Sequence, residues 1–251
     1  MKYVYALKTV KSDMTSHNGF TWKRRGTVVA PDWNPEPECG GGLHAFLRGE
    51  GDGSLADWSP DALWLVLKIP EGTYVDLGGK IKFPRCTVVF CGDRKSATDK
   101  LQALGCNGPI IGAYKVGGDE STVSGGHGST VSGGHGSTVS GGDESTVSGG
   151  HGSTVSGGYG STVSGGHRSR VSGGYRSQVS GGFGSQVSGG NWSRVSGGDG
   201  STVSGGYRSV LTLSYYDGLR RRLVTRYVGE DGIIANTAYR LNDANEFEVV
   251  K

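Results

Sequence analysis

The sequence predicts a mainly β protein: a parallel β-solenoid of 16-residue coils behind an N-terminal α+β domain, closed by a small C-terminal β cap. Three observations carry this. An octad, x-x-Ser-x-Val-Ser-Gly-Gly, recurs from Asp119 to Ser214, and its valines fall every eight residues from Val123 to Val203 through eleven units. Inside each octad the residues alternate, so a strand sends Ser121, Val123 and Gly125 to one face and Thr122 and Ser124 to the other. The variable residues repeat at twice the octad: Tyr159, Tyr175 and Tyr207 differ by multiples of sixteen, as do His135, His151 and His167.

One octad is thus a short strand and a bend, with the Gly-Gly pair and the two variable residues expected to supply positive φ at the corner. A single octad cannot bury its valine alone, so it stacks on its neighbours and shares a continuous core. With 48 glycines in 251 residues, a flexible Gly/Ser linker is the competing reading. A linker has no reason to hold one apolar residue in register over eleven units. Two octads per coil align the tyrosines along one edge and the histidines, followed by Phe183, along the other. That gives about six coils and a flattened two-sheet rod roughly 29 Å long at a strand spacing of ~4.8 Å. The expected divisions are 1–116, 117–210 and 211–251.

The first domain is read in order. Residues 2–10 alternate as a strand, and Phe20 and Trp22 pack inward from the polar stretch that follows. Pro31, Pro35 and Pro37 exclude regular structure up to Cys39. Leu63–Ile69 is a buried strand ending at Pro70, and Tyr74–Leu77 and Thr87–Phe90 are further strands. Asp93–Leu104 is the one helix, with Ala97, Leu101 and Leu104 on a face and Gly105 as its stop. Past the rod, Val210–Tyr216 and Leu223–Val228 form a hairpin, and Ala238–Leu241 and Phe247–Val250 complete a small meander. The two flanking regions are expected to cap the rod's open strand edges.

Composition narrows the function. A net charge of +3 is too small to argue for nucleic acid, which is not expected as a partner, and no segment has the ~18 apolar residues of a membrane helix. No signal peptide is visible at the N-terminus, which points to a bacterial host cytoplasm or a virion-associated protein. Cys39, Cys86, Cys91 and Cys106 are expected to be buried free thiols. Cys39 with His44 could start a zinc site, but no Cys-x-x-Cys knuckle supports one, and no metal or cofactor is expected. Gly40-Gly41-Gly42 lacks the Lys-Ser/Thr that a phosphate loop needs.

Charge is polarised along the rod. Early octads carry Asp119, Glu120, Asp143 and Glu144; later ones carry Arg168, Arg170, Arg176, Arg194 and Arg208. This reads as protection against end-to-end stacking, with a basic docking end as the functional alternative.

Three resemblances bear on function. Gly158-Tyr159-Gly160-Ser161-Thr162-Val163-Ser164-Gly165 resembles the repeats of bacterial ice-nucleation proteins. Thr162 and Ser164 stand at that family's outward Thr-x-Thr positions, Tyr159 at its tyrosine position, and Arg168, Arg176 and Arg208 loosely in its arginine-bearing coils. The second Thr is Ser throughout, Gly replaces the inward Ala, and the array is far shorter. Lys2–Lys8, Ala30-Pro31-Asp32-Trp33, Ala56–Ala62 and Asp76–Lys80 resemble a group of bacteriophage and prophage proteins of unassigned function with glycine-rich octads, which implies a phage origin. Gly42-Leu43-His44 and Ala62–Val66 resemble the Gly-x-[His/Tyr] strand of ADP-ribosyltransferase-like folds, without a matching catalytic glutamate.

The expectation is therefore a non-enzymatic, phage-derived scaffold that presents side-chain ladders to a protein partner, a host-defence protein being one such target. Thr122, Thr138, Thr154, Ser124, Ser140 and Ser156 form one face; Thr130, Thr146, Thr162, Ser132, Ser148 and Ser164 form the other. Tyr159, Tyr175 and Tyr207 make an edge on which two rods could pair, and Arg168, Arg176, Arg194 and Arg208 the basic end. The first alternative is an ice-binding protein using the Thr-x-Ser arrays; the second is an enzyme in the first domain.

Overall fold

A computed structural model describes residues 2–250, which fall into two compact units divided between Tyr114 and Lys115. The first holds strands β1 (Tyr3–Val10), β2 (Gly26–Val29), β3 (Leu43–Leu47), β4 (Leu63–Pro70), β5 (Val75–Asp76), β6 (Ile81–Phe83) and β7 (Arg85–Gly92), with helix α1 (Arg94–Ala103). They make one antiparallel sheet in the order β2-β7-β4-β1-β3-β6-β5. Successive β4 side chains face opposite cores. Leu65, Leu67 and Ile69 join Trp22 and Phe83, while Trp64 and Val66 lie with Ala97 and Leu101 of α1. This is why β4 reads as an unbroken apolar run. Asp93 caps α1 by accepting from the Ser96 amide (2.9 Å), and Gly105 leaves the helix at φ +88°.

Several boundaries differ from the sequence reading. β5 is only Val75–Asp76, β7 is longer at both ends, and β2 and β6 are additional strands. β6 has three residues between Gly79 and Pro84, too few to show alternation, and all three are buried, Lys82 included. Among the thiols, Cys86 and Cys106 are buried and burial pushes the Cys86 thiol up to about 12, but Cys39 is exposed. Cys39 sits in the loop dictated by Pro35 and Pro37, outside either core.

The second unit is the coil of two octads. From Thr122 to Arg194 each coil strand pairs in parallel with the strand sixteen residues on: Val131 with Val147, Val147 with Val163, and, in the opposite sheet, Val139 with Val155. The ten valines from Val131 to Val203 are at most 2 % exposed and form one continuous core with Leu211 and Leu213. Each buried valine contributes ~1.5–3 kcal/mol of apolar transfer.

Beside the valines runs a buried serine ladder. Ser145, Ser161, Ser177 and Ser193 are each 1 % exposed, and their hydroxyls donate to the carbonyls of Gly126, Gly142, Gly158 and Gly174 at 3.0–3.1 Å. The next coil's hydroxyl accepts from the backbone amide, as from Ser145 N to Ser161 Oγ (3.3 Å). The polar half of the core is thereby satisfied without water.

The corner is built differently from the expectation. None of the Gly-Gly pairs has a left-handed φ; the second variable residue takes it, from Gly128 (φ +62°) to Arg176 (φ +57°) and Trp192 (φ +60°). The glycine pairs are needed for close approach instead. A Cβ on Gly133 would lie 2.6 Å from Val139 Cγ2, and one on Gly150 would lie 2.7 Å from the Gly134 carbonyl carbon one coil below.

The expected C-terminal meander is two separate hairpins. Val210–Tyr216 with Arg221–Tyr227 extends one sheet, and Tyr239–Leu241 with Phe247–Val249 extends the other. Each sheet ends in its own unpaired edge, so each receives its own cover.

Candidate functional site: the outer faces of the coil

The alternation that buries valine sends the flanking residues outward. On one sheet Thr122, Thr138 and Thr154 stand in register, with Ser124, Ser140 and Ser156 two residues along. On the other, Thr130, Thr146 and Thr162 stand beside Ser132, Ser148 and Ser164. All six threonines are exposed and all six serines half-buried. Parallel strands place successive threonines ~4.8 Å apart, and Thr and Ser of one strand ~6.6 Å apart. Each face is thus a two-dimensional grid of hydroxyls with a row of methyls. Thr154 is followed by Arg170 and Thr162 by Gln178, so each unbroken threonine row is three coils deep. The serine row continues through Ser172 and Ser188 on the first face and Ser180 and Ser196 on the second.

The edges carry the variable pairs. His135 stacks on His151 (5.1 Å between centroids, 3° between planes), His151 on His167 (6.5 Å), and His167 meets Phe183 (6.3 Å). On the opposite edge Tyr159 stacks on Tyr175 at 5.7 Å. Tyr207 is one coil farther than the next tyrosine position, because Asn191 intervenes. His127 lies at the foot of the tyrosine edge, where its Nε2 is 3.5 Å from Glu144.

The four arginines assigned to the basic end all lie in the later coils but on different surfaces. Arg168 follows His167 on the histidine edge, Arg176 and Arg208 stand on the tyrosine edge, and Arg194 projects from a flat face. Period-two alternation separates them: Arg194 occupies the outward Thr position, the others the corner. Arg176 lies over Tyr175 (5.2 Å), and hydrogen bonding to Tyr159 raises its guanidinium further above its ordinary value. Arg208 lies over both Trp192 (4.9 Å) and Tyr207 (5.2 Å).

Two features of the edges are absent from the sequence reading. Trp192 joins the aromatic edge from the left-handed corner position, out of phase with the tyrosines. Asp119, Asp143 and Asn191 brace the turns: their side-chain oxygens accept from the amides of His135, Tyr159 and Tyr207 at 2.8–2.9 Å. An Asx residue at the first variable position is the signal for this brace.

In the first unit, His44 is half-buried, and burial together with Lys80, Lys8 and Lys82 lowers its pKa to about 4. Cys39 contacts Lys80 Nζ at 3.1 Å rather than His44. No group of three or more His, Cys, Asp or Glu residues able to hold a metal occurs among the described residues, and no helix is long and apolar enough to cross a membrane.

No family model matches the chain, and no solved structure matches it. Curated proteins do. The chain is 36% identical over 112 residues to the ice nucleation protein of Xanthomonas campestris pv. translucens, covering 44% of this chain and 7% of that protein. Identity is 34% over 96 residues with the ice nucleation protein of Pseudomonas fluorescens (38% and 8% covered). It is 33% over 99 residues with that of Pseudomonas syringae (39% and 9% covered). The repeats are similar to those of ice nucleation proteins. The chain spans less than a tenth of the length of these relatives, so the similarity is one of repeats.

Proposed function

We propose that the rod is a non-enzymatic ice-binding element whose two Thr-x-Ser faces engage an ordered water lattice. The observation that carries this is the in-register stacking of Thr130, Thr146 and Thr162 beside Ser132, Ser148 and Ser164, mirrored on the other sheet. Regular spacing matters because a surface binds a lattice only if its groups repeat with comparable periods. The buried serine ladder and the close-packed glycines hold the grid flat. The similarity to ice nucleation proteins favours this reading over a phage-derived scaffold aimed at a protein partner.

Rows three coils deep form a small patch, too small to organise a large ice embryo. The mode that follows is adsorption to existing ice rather than warm-temperature nucleation. Slow freezing of a dilute solution tests this by partition: the intact chain enters the growing ice, while Thr138→Lys with Thr146→Lys, which breaks both faces at their centre, stays in the liquid. Exclusion of the folded wild type from the ice, at the level of an ordinary globular control, overturns the proposal.

A further inference from the structure

The hairpin of Val210–Tyr216 with Arg221–Tyr227 covers one edge of the rod and ends in an edge of its own. Its second strand is the outermost of that sheet, paired on one side only. The register shows which backbone groups are left over. The Asp217 amide donates to the Arg220 carbonyl (3.1 Å) and the Val228 amide to the Ser209 carbonyl (2.9 Å). Between these two points the bonded positions are every second residue: Arg222, Val224 and Arg226. The amides and carbonyls of Arg221, Leu223, Thr225 and Tyr227 therefore point away from the sheet. The Thr225 carbonyl accepts from the Arg226 guanidinium (3.0 Å) and the Tyr227 carbonyl from the Glu230 amide (3.1 Å). The remaining outward groups have no partner among the described residues.

The side chains alternate along this edge. Arg221, Leu223, Thr225 and Tyr227 are exposed on one flank; Arg222, Val224 and Arg226 are half-buried on the other. Leu223 is 68 % exposed, Leu219 in the turn 87 %, and Tyr216 and Tyr227 are exposed as well. Arg222 pairs with Asp217, whereas Arg220, Arg221 and Arg226 have no carboxylate within ion-pair distance among the described residues. The other sheet ends in Phe247–Val249, a strand of three residues whose Glu248 is held by Arg240 (2.6 Å). So short an edge is a poor template for another strand. Positive charge alone guards an edge against self-pairing, but charge beside exposed leucine and tyrosine also selects a partner of opposite sign.

We infer that the free edge of Arg221–Tyr227 docks an acidic peptide in extended conformation, which joins the sheet as a further strand. Backbone hydrogen bonds to the outward amides and carbonyls supply affinity, and alternate side chains supply selectivity. Peptide residues on one flank meet Leu223 and Tyr227 and are apolar. Those on the other flank meet Arg222 and Arg226 and are carboxylates. A second copy of this chain is the poorer occupant, because it sets Arg220, Arg221, Arg222 and Arg226 against the same four residues. The docking uses none of the coil threonines and so stands apart from ice binding.

The test titrates the intact chain into fluorescein-labelled peptides and follows anisotropy. One peptide alternates Glu and Val, a second alternates Lys and Val, and a third is the Glu-Val peptide with every amide N-methylated. The third keeps its charge but cannot donate to an edge. Saturable binding of the first, weakened roughly tenfold or more in the other two, is the expected result, with slowed hydrogen exchange at the Leu223, Thr225 and Tyr227 amides. Thr225→Pro deletes an outward amide at an edge position that tolerates proline, and Arg226→Glu reverses one charge. Each is expected to weaken the Glu-Val peptide roughly tenfold, while Lys95→Gln on α1 leaves it unchanged. The inference is overturned if the Glu-Val peptide does not bind, or if the Lys-Val or methylated peptide binds as well. It is also overturned if folded Thr225→Pro and Arg226→Glu both bind like wild type. Slowed exchange at the same amides with rising protein concentration and no peptide assigns the edge to a second copy and overturns the acidic occupant.

Discussion

Replacing Ser161 by Ala removes one hydroxyl from the middle of the buried ladder. In the native rod this hydroxyl donates to the Gly142 carbonyl (3.1 Å) and accepts from the Ser145 amide (3.3 Å), and Ser161 is 1 % exposed. The Gly142 carbonyl keeps a second donor in the Gly158 amide (3.2 Å). The Ser145 amide keeps none and is stranded in a dry core. Leaving a buried donor unpaired costs about 1–3 kcal/mol. For a unit of this size, 2 kcal/mol lowers the melting temperature by roughly 6–8 °C. Ser164→Ala deletes the same atoms from the outer face, where water replaces them, and is expected to stay within about 0.5 kcal/mol of wild type. Thermal unfolding followed by far-ultraviolet circular dichroism on both variants decides the matter. Equal melting of Ser161→Ala and Ser164→Ala would refute the claim that the inner serines are structural and the outer ones free to act.

Three further outcomes follow from the same geometry. Gly150→Ala places a Cβ 2.7 Å from the Gly134 carbonyl carbon, so the coils must separate; a loss of at least 2 kcal/mol in urea unfolding is expected. Arg168→Gly relieves a left-handed residue at φ +53° and raises stability by about 1 kcal/mol, while Arg208→Gly gains less because it also loses the stacking on Trp192 and Tyr207. In the first unit, the His44 pKa is lowered to about 4 by burial and its three lysine neighbours. The unfolded chain therefore binds the extra proton first, and stability falls as pH drops from about 6.5 toward 4, by roughly 1–2 kcal/mol once partial exposure is allowed for. Urea midpoints of wild type should decline across that window and those of His44→Gln should stay flat; parallel declines would remove His44 as the cause.

The rod was legible because its signals are periodic. Valine at every eighth position fixed the strand phase, and tyrosine and histidine at multiples of sixteen fixed two strands per coil, so the outward placement of Thr130 or Ser132 followed from parity alone. What escaped is what depends on neighbouring coils. The Gly-Gly pairs look like flexible corners in one dimension, and only the stacked backbone shows that Gly150 is excluded from bearing a side chain by Gly134. Arg194 and Arg208 both belong to the basic later coils, and parity sends the first to a face and the second to an edge. In the first unit β6 was hidden by its brevity. Nothing local in the sequence tells that the Glu38–Gly40 loop folds over Lys82.

The most direct measurement is thermal hysteresis with ice-crystal morphology for the intact 251-residue chain at high concentration. A regular Thr/Ser grid on both faces predicts faceted crystals and a measurable gap between melting and freezing, both abolished in the folded Thr138→Lys, Thr146→Lys double variant. Round, unshaped crystals with no gap, from wild-type protein whose spectrum shows intact β-structure, would contradict it.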